Sequence, residues 1–184
     1  MLKDIPNWLT ISRILLIPFV LIAMYFENSA FGHRFAAALF IYACVTDFLD
    51  GYLARIWNVQ SLVGKFLDPI ADKLLVVSVM VMLVYYDRAD LLPAIAIIAR
   101  EILVSGLREF LAEIKISIPV SKLGKYKTFL QMVAIFILIL GEKGSGLGYV
   151  GIVGNYILWA AAVLTLLSGY IYFKASYKHL VGKK

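Results

Sequence analysis

Long apolar runs separated by short polar stretches form the basic pattern of this chain. A helix needs about 20 largely apolar residues to cross the roughly 30 Å hydrocarbon core of a bilayer. Six runs approach or reach that length: Trp8–Phe26, Phe35–Ile56, Phe66–Tyr86, Leu91–Leu111, Phe129–Leu140 and Tyr149–Phe173. The fifth run is short, so we expect its helix to begin earlier, among Lys125 to Thr128. The pattern predicts an all-α, polytopic membrane protein with six transmembrane helices.

The composition agrees with a membrane protein. Of the 184 residues, 62% are hydrophobic and 16% are charged, whereas soluble domains are about 45 to 50% apolar. No linker rich in glycine, serine or proline divides the chain, so residues 1–184 are predicted to form a single domain. The first run is predicted to be a span and not a secretory signal, because Arg13 lies inside it and no small-residue cleavage site follows.

The lysines and arginines predict the orientation. Six spans place both termini on one side, and that side collects Lys3, Arg13, Arg55, Lys65, Arg108, Lys115, Lys122, Lys125, Lys127, Lys174, Lys178, Lys183 and Lys184. The other side holds Arg34, Arg88 and Lys143. The positive-inside rule therefore predicts cytoplasmic termini. The membrane is expected to be a bacterial-type inner (cytoplasmic) membrane. The net charge of +6 reflects topology and anionic lipid, and no nucleic-acid partner is expected.

Four aspartates interrupt the apolar pattern at the predicted cytoplasmic side. Asp47 and Asp50 lie near the end of the second run, and Asp68 and Asp72 lie near the start of the third. The members of the two pairs are three and four residues apart, so each pair shares a helix face. The short connection predicts that the two helices are antiparallel neighbours and that the carboxylates converge in a polar cavity. Four carboxylates in a poorly hydrated site require protonation or neutralising cations. Oxygen ligands favour magnesium, manganese or calcium, and two ions would suit a site that holds a transferring phosphoryl group.

Two other interpretations of the aspartates remain open on the residues alone. The carboxylates could form structural ion pairs, for which the candidate cations are Arg55, Lys65, Lys73 and Arg100. They could also line the cation path of an ion-coupled transporter. The neighbouring glycines, Gly51 and Gly64, would let a ligand or a facing backbone approach closely.

The segments "DFLDGYLAR" and "GKFLDPIAD", which are separated by eight residues, carry a resemblance to a known family. Together they resemble the signature of the CDP-alcohol phosphatidyltransferases, D-x-x-D-G-x-x-A-R, eight residues, then G-x-x-x-D-x-x-x-D. The residues that match its fixed positions are Asp47, Asp50, Gly51, Ala54, Arg55, Gly64, Asp68 and Asp72. The resemblance extends over essentially the whole chain.

The resemblance implies a reaction and a metal site. Members of the family transfer a phosphatidyl or related group from a CDP-linked donor to an alcohol and release CMP. By this resemblance, Asp47, Asp50 and Asp68 ligate a pair of divalent ions, Mg²⁺ or Mn²⁺. Asp72 is implied to contribute a further ligand and to act as the base that deprotonates the acceptor hydroxyl.

The resemblance also implies the position of the donor and the oligomeric state. Gly51, Ala54 and Arg55 are expected to lie along the cytidine nucleotide, and Gly64 is grouped with them as a donor-binding residue. Family members commonly form homodimers, so a homodimer in the lipid bilayer is expected.

The acceptor is inferred from three further segments. "PNWLTISR" places Asn7, Thr10 and Arg13 at helical spacing, and "AREILVSGLREF" carries Arg100 and Arg108 two turns apart on one face. "SKLGKYKT" adds Lys125, Lys127 and Thr128. These segments resemble those of family members that accept sn-glycerol 3-phosphate. The expected reaction converts CDP-diacylglycerol and glycerol 3-phosphate to phosphatidylglycerophosphate and CMP.

Three basic residues are the candidates for binding the acceptor phosphate: Arg100, Arg108 and Lys125. Each has an alternative, since Arg100 could pair with Glu101, Arg108 with Glu109 or Glu113, and Lys125 could serve only topology. Synthesis of phosphatidylinositol phosphate, cardiolipin or phosphatidylserine is the alternative within the family.

Overall fold

The computed structural model describes the backbone of residues 5–26, 29–56, 62–116, 118–119 and 122–181. Within these ranges it describes the side chains of all residues except 5–9, 48, 50–56, 62–66, 68, 122, 179 and 181. It contains six helices: α1 (Ile5–Tyr25), α2 (Ala30–Ile56), α3 (Leu62–Tyr85), α4 (Leu91–Glu113), α5 (Lys122–Ser145) and α6 (Val150–Val181). These ranges contain no strand. The prediction of an all-α fold with six helices is confirmed.

The helix bounds differ from the predicted runs mainly in α5. This helix begins at Lys122, seven residues before the apolar run at Phe129, and it continues to Ser145. It bends at Gly141, where φ is 56° and ψ is −169°, a conformation that essentially requires glycine. A helical turn follows the bend and ends at Ser145.

Two helices are long and apolar enough to cross a membrane, judged over the part of the chain that the structure describes. They are Leu123–Ser145 and Val150–Lys178, and Thr10–Tyr25 forms a shorter apolar helix. Helices α2, α3 and α4 combine apolar runs with charged residues such as Asp47, Asp72 and Arg100. These charges reduce the apolar character of the three helices, so the existence of six spans stays a prediction.

The surface of the helices is apolar, whereas several polar side chains are buried. On α1, the exposed fractions of Leu15, Phe19 and Ile22 are 62%, 61% and 56%. Arg13 on the same helix and Lys127 on α5 are buried. Soluble monomers rarely expose such extensive apolar surface. The arrangement is typical of helices that face lipid, and it agrees with membrane association.

Helix packing places α1 and α5 at the centre of the contacts. Helix α1 packs against both α2 and α3, α5 packs against α2 and α6, and α6 packs against α4. The main contacts between described residues do not include a direct α2 to α3 interface, so the prediction that these two helices pack as neighbours is not supported. Helix α1 instead contacts both of them.

The end of the bundle opposite the aspartates is closed by side chains from the start of α2. His33 Nδ1 donates a hydrogen bond to the Leu140 carbonyl at 2.9 Å, and Arg34 Nε donates to the Gly144 carbonyl at 2.8 Å. Because a carbonyl can only accept, His33 Nε2 accepts from Arg88 Nη2 at 3.0 Å. These bonds satisfy carbonyls that the bend and the end of α5 would otherwise leave without helical partners.

Gly154 lets α6 approach α5 closely. A Cβ atom at this position would lie 2.6 Å from Leu138 Cδ2 and 3.1 Å from Ile137 Cγ2. We expect Gly154→Ala to lower the free energy of unfolding by about 1 to 3 kcal/mol through overpacking. The measurement is thermal unfolding of the purified protein in detergent. Gly151→Ala is the matched control, because a Cβ at Gly151 meets no atom within 4 Å. Equal melting temperatures for the two variants would contradict the packing argument.

Candidate functional site

A cavity of about 460 Å³ lies at the aspartate end of the bundle, and we call it the carboxylate cavity. Asp47 from α2 and Asp72 from α3 both line it, so the fold brings together carboxylates from the two halves of the sequence signature. The lining residues are Asp47, Pro69, Asp72, Lys73, Arg100, Glu101, Val104, Ser105, Arg108, Glu109 and Ala112. The cavity therefore combines carboxylates with several cations.

The other signature side chains, namely those of Asp50, Gly51, Ala54, Arg55, Gly64 and Asp68, lie outside the described residues. Their assignments as metal ligands and donor-binding residues stay predictions. Among the side chains that are described, no group of three or more His, Cys, Asp or Glu residues forms a candidate metal cluster. Asp47 and Asp72 are the predicted metal ligands whose positions are defined.

Arg13 from α1 contacts Asp47. Its Nη1 donates a hydrogen bond to Asp47 Oδ1 at 2.5 Å, and the Arg13 side chain is 1% exposed whereas that of Asp47 is 47% exposed. Charge-assisted bonds of this kind orient the acceptor strongly. Sequence reasoning placed Arg13 at helical spacing with Thr10 but did not pair it with an aspartate. Its pairing fixes one oxygen of Asp47 and leaves the carboxylate facing the cavity.

Asp72 lies between the negative and positive parts of the cavity. The charged side chains that act electrostatically on it are Asp47, Arg13, Lys127 and Lys73. Asp72 projects from α3 and lines the same cavity as Arg100 and Arg108. A carboxylate in this position can accept a proton from a hydroxyl whose anionic substituent is bound by the neighbouring cations.

Arg100 is held by α6. Its Nη2 donates to Ser168 Oγ at 3.1 Å, and its Nη1 lies 3.7 Å from Glu101 Oε2. Gly169 leaves room for the side chain, because a Cβ there would lie 3.1 Å from Arg100 Cγ. Arg100 therefore lines the cavity, as predicted, and it also forms the ion pair with Glu101 that was its predicted alternative.

Lys127, rather than Lys125, contacts the charged residues of the carboxylate cavity. The Lys127 ammonium forms an ion pair with Glu101, and its side chain is 3% exposed. Lys125 is exposed and is not among the lining residues of the carboxylate cavity. Two residues along a helix are about 200° apart, so the two lysines lie on different faces of α5. The assignment of Lys125 to the acceptor phosphate stays a prediction. Lys127 was noted in the same segment but was not among the three candidates for phosphate binding.

Lys73 and Arg108 complete the cationic side of the cavity. Lys73 Nζ donates to Ser105 Oγ and lies 3.7 Å from Glu109 Oε1. The Arg108 guanidinium carbon lies 5.7 Å from the centre of the Tyr172 ring, within cation–π range. The site can therefore bind an anion with Arg100, Arg108 and Lys73 while presenting carboxylates to a hydroxyl or to cations.

Comparison with known proteins identifies relatives over nearly the whole chain. The family model described as CDP-alcohol phosphatidyltransferase matches residues 3–167. This match contains both halves of the aspartate signature and every described residue of the carboxylate cavity.

Curated relatives carry the name CDP-diacylglycerol–glycerol-3-phosphate 3-phosphatidyltransferase. A protein of Rickettsia felis is 55% identical over 177 residues, covering 96% of this chain and 97% of the relative. A protein of Rickettsia typhi is 56% identical over 174 residues, with coverage of 95% and 97%. A protein of Shigella flexneri is 45% identical over 178 residues, with 94% of each chain covered.

Proposed function

Because the chain belongs to the CDP-alcohol phosphatidyltransferase family, we propose that it transfers the phosphatidyl group of CDP-diacylglycerol to sn-glycerol 3-phosphate. The products are phosphatidylglycerophosphate and CMP. The observation that carries this proposal is the carboxylate cavity, where Asp47 and Asp72 face Lys73, Arg100 and Arg108. The names of the relatives from Rickettsia felis and Rickettsia typhi support the same two substrates.

The cations of the cavity favour a phosphorylated acceptor. A dianionic phosphate offers several oxygens to guanidinium and ammonium donors, and such charge-assisted bonds are among the stronger ones in proteins. An uncharged alcohol such as glycerol would leave Arg100 and Arg108 without an anionic partner on the acceptor. The cationic side therefore supports glycerol 3-phosphate over an uncharged acceptor.

The donor set fits hard divalent cations. Asp47 and Asp72 present carboxylate oxygens to one cavity, and oxygen is the ligand that Mg²⁺ and Mn²⁺ prefer. We assign these two residues, together with Asp50 and Asp68, to the binding of divalent ions, with two ions proposed. When bound, the ions would hold the donor's pyrophosphate and offset charge on the departing CMP.

The reaction is a substitution at the phosphorus that bears the lipid. The free hydroxyl oxygen of glycerol 3-phosphate forms a bond to this phosphorus, and the bond to the CMP oxygen breaks. Asp72 accepts the hydroxyl proton, while Arg100 and Arg108 hold the acceptor's phosphate. Arg13 keeps Asp47 oriented toward the cavity through their hydrogen bond.

Membrane placement follows the same proposal. All six helices are proposed to cross the inner membrane as one domain with both termini in the cytoplasm, and the protein is proposed to be a homodimer. Helix α6 has 32 residues and is about 48 Å long at 1.5 Å per residue, which exceeds the hydrocarbon core. The carboxylate cavity would then lie at the cytoplasmic surface, where the lipid donor and the soluble acceptor meet.

The proposed activity is tested by CMP release. Purified protein in detergent receives CDP-diacylglycerol, Mg²⁺ and one acceptor from a panel of glycerol 3-phosphate, inositol phosphate, phosphatidylglycerol and serine. We expect CMP to appear with glycerol 3-phosphate. Faster release with another acceptor would change the assigned acceptor within the family, and no release with any of them would overturn the assigned transferase activity.

Arg108 and Lys125 provide a test of the acceptor contacts. We expect Arg108→Gln to raise the KM for glycerol 3-phosphate by about one to two decades, the scale of a lost charge-assisted contact. The KM for CDP-diacylglycerol should change little. Lys125→Gln removes the same charge from an exposed side chain that does not line the cavity, so we expect a smaller change. An equal or larger effect at Lys125 would support the assignment made from sequence and contradict the one made from the cavity.

A further inference from the structure

We propose that Glu101 is an internal counter-ion that neutralises Lys127 and Arg100 while the acceptor site is empty, and that the phosphate of the acceptor displaces it. The proposal rests on the assigned phosphate-binding role of the carboxylate cavity. It explains why the cavity holds a carboxylate beside its cations, although this residue has the same sign of charge as the substrate and competes with it.

The contacts of Glu101 place its carboxylate where an anion would bind. One oxygen, Oε1, forms an ion pair with Lys127, and the other, Oε2, lies 3.7 Å from Arg100 Nη1. Arg100 is held in turn by Ser168 on α6. A single carboxylate thus bridges cations from α4 and α5 with its two oxygens, as two oxygens of a phosphate could do.

Glu101 also lies between Lys127 and the cavity. Glu101 lines the carboxylate cavity, whereas Lys127 is 3% exposed and is not among the lining residues. A ligand in the cavity can reach the Lys127 ammonium once the Glu101 side chain, which is 22% exposed, rotates away. The buried cation therefore becomes available through movement of one half-buried side chain.

Only an anionic ligand can displace Glu101. A buried ammonium is strongly destabilised without a counter-ion, so Lys127 needs an anion both before and after the acceptor binds. A phosphate dianion can replace the Glu101 carboxylate in this role. A neutral alcohol cannot, and Glu101 then stays in place and narrows the cavity beside Arg100. Glu101 consequently lowers the affinity for phosphate, because the phosphate must displace it, and this competition does not act on an uncharged ligand.

The test measures phosphate binding to the whole protein in detergent. Inorganic phosphate is titrated into wild type and into Glu101→Gln by isothermal titration calorimetry. We expect the variant to bind phosphate roughly tenfold more tightly, because the competing carboxylate is gone. The KM for glycerol 3-phosphate should fall in parallel, with the KM for CDP-diacylglycerol unchanged. Glycerol, as an uncharged probe, should bind wild type and Glu101→Gln with equal affinity.

Glu113→Gln is the matched control. Glu113 lies on the same helix, is exposed and does not line the cavity, and its replacement changes the net charge equally. An equal gain in phosphate affinity at Glu113 would reduce the effect to general electrostatics and overturn the proposal. If Glu101→Gln does not fold, Glu101→Asp replaces it. Its shorter side chain cannot bridge both cations, so a smaller gain in phosphate affinity is expected.

The outcomes separate this proposal from the assigned function. If wild type binds no phosphate, or if Arg108→Gln binds it as tightly as wild type, the cavity is not the acceptor site and both inferences fail. If wild type binds phosphate and Arg108→Gln weakens it, the acceptor site stands. Unchanged or weaker binding by Glu101→Gln would then overturn the displacement of Glu101 alone.

Discussion

Asp72→Asn is expected to lower kcat by about 10²-fold or more, the scale associated with loss of a general base. Asparagine has nearly the same shape and can still accept hydrogen bonds, but it cannot take up the proton of the acceptor hydroxyl. Asp72 lines the cavity beside Lys73 and Arg100, where the phosphate of the acceptor is proposed to bind. Steady-state CMP release, with both substrates varied, gives kcat and each KM.

Comparing the loss of kcat with the loss of affinity for CDP-diacylglycerol distinguishes a general base from a metal ligand at Asp72. Donor affinity should change less than kcat if the main role is proton transfer. An equal loss of affinity for CDP-diacylglycerol would make Asp72 mainly a metal ligand. Asp87→Asn serves as the control, because Asp87 lies in the turn between α3 and α4 at the opposite end of the bundle. Its kcat should match that of wild type.

Removal of divalent ions is expected to abolish the activity. Carboxylates gathered in a poorly hydrated cavity need neutralising cations, and the donor's pyrophosphate adds further negative charge. Turnover should therefore disappear in excess EDTA and return with Mg²⁺ or Mn²⁺. Undiminished turnover in excess EDTA would refute the assignment of the aspartates to divalent ions.

Direct binding of Mn²⁺ tests the same assignment without the reaction. The free Mn²⁺ signal in electron paramagnetic resonance falls as the ion binds, so it gives an affinity for wild type and for Asp47→Asn. We expect the variant to bind Mn²⁺ at least about tenfold more weakly, through loss of a charged oxygen ligand. Asp87→Asn again supplies the control. Equal Mn²⁺ affinities for wild type and Asp47→Asn would show that Asp47 pairs with Arg13 and does not bind a metal.

The helices could be predicted because their apolar runs are long. Helix α4 begins at Leu91 in both the prediction and the structure. Helix α5 begins at Lys122, three residues before the predicted range of Lys125 to Thr128. Its first turn is mostly polar, and a polar helical turn has no apolar run to mark it. The apolar pattern also did not predict which helices pack together. A direct interface between α2 and α3 was expected, whereas the structure shows α1 in contact with both of them.

The candidate site could be predicted in part from the positions of charged residues along the apolar runs. Asp47 and Asp72 do line one cavity, and so do Arg100 and Arg108. The choice between Lys125 and Lys127 required knowing which face of α5 is buried. A signal was present, because Lys127, Gln131 and Ala134 follow helical spacing and all three are buried. A lysine on the same face of an apolar helix as a glutamine indicates a polar interior.

The partner of Arg13 could not be deduced from spacing, because it lies 34 residues away on another helix. The sequence showed a basic residue inside the first apolar run, which is costly in a membrane unless it is paired. Several aspartates were available as partners. Only the packing of α1 against α2 selects Asp47 among those whose side chains are described.

The bond between Arg100 and Ser168 has a consequence for biosynthesis, because the two residues are 68 positions apart. When the ribosome has completed α5, the nascent chain already contains Arg13, Asp47, Asp72 and Lys127, but the α6 surface that holds Arg100 has not been made. The carboxylates that line the cavity are thus translated well before the residue that holds Arg100. A premature stop within α6, before Ser168, would leave a membrane-bound fragment that keeps the acidic residues and lacks the contact that positions Arg100.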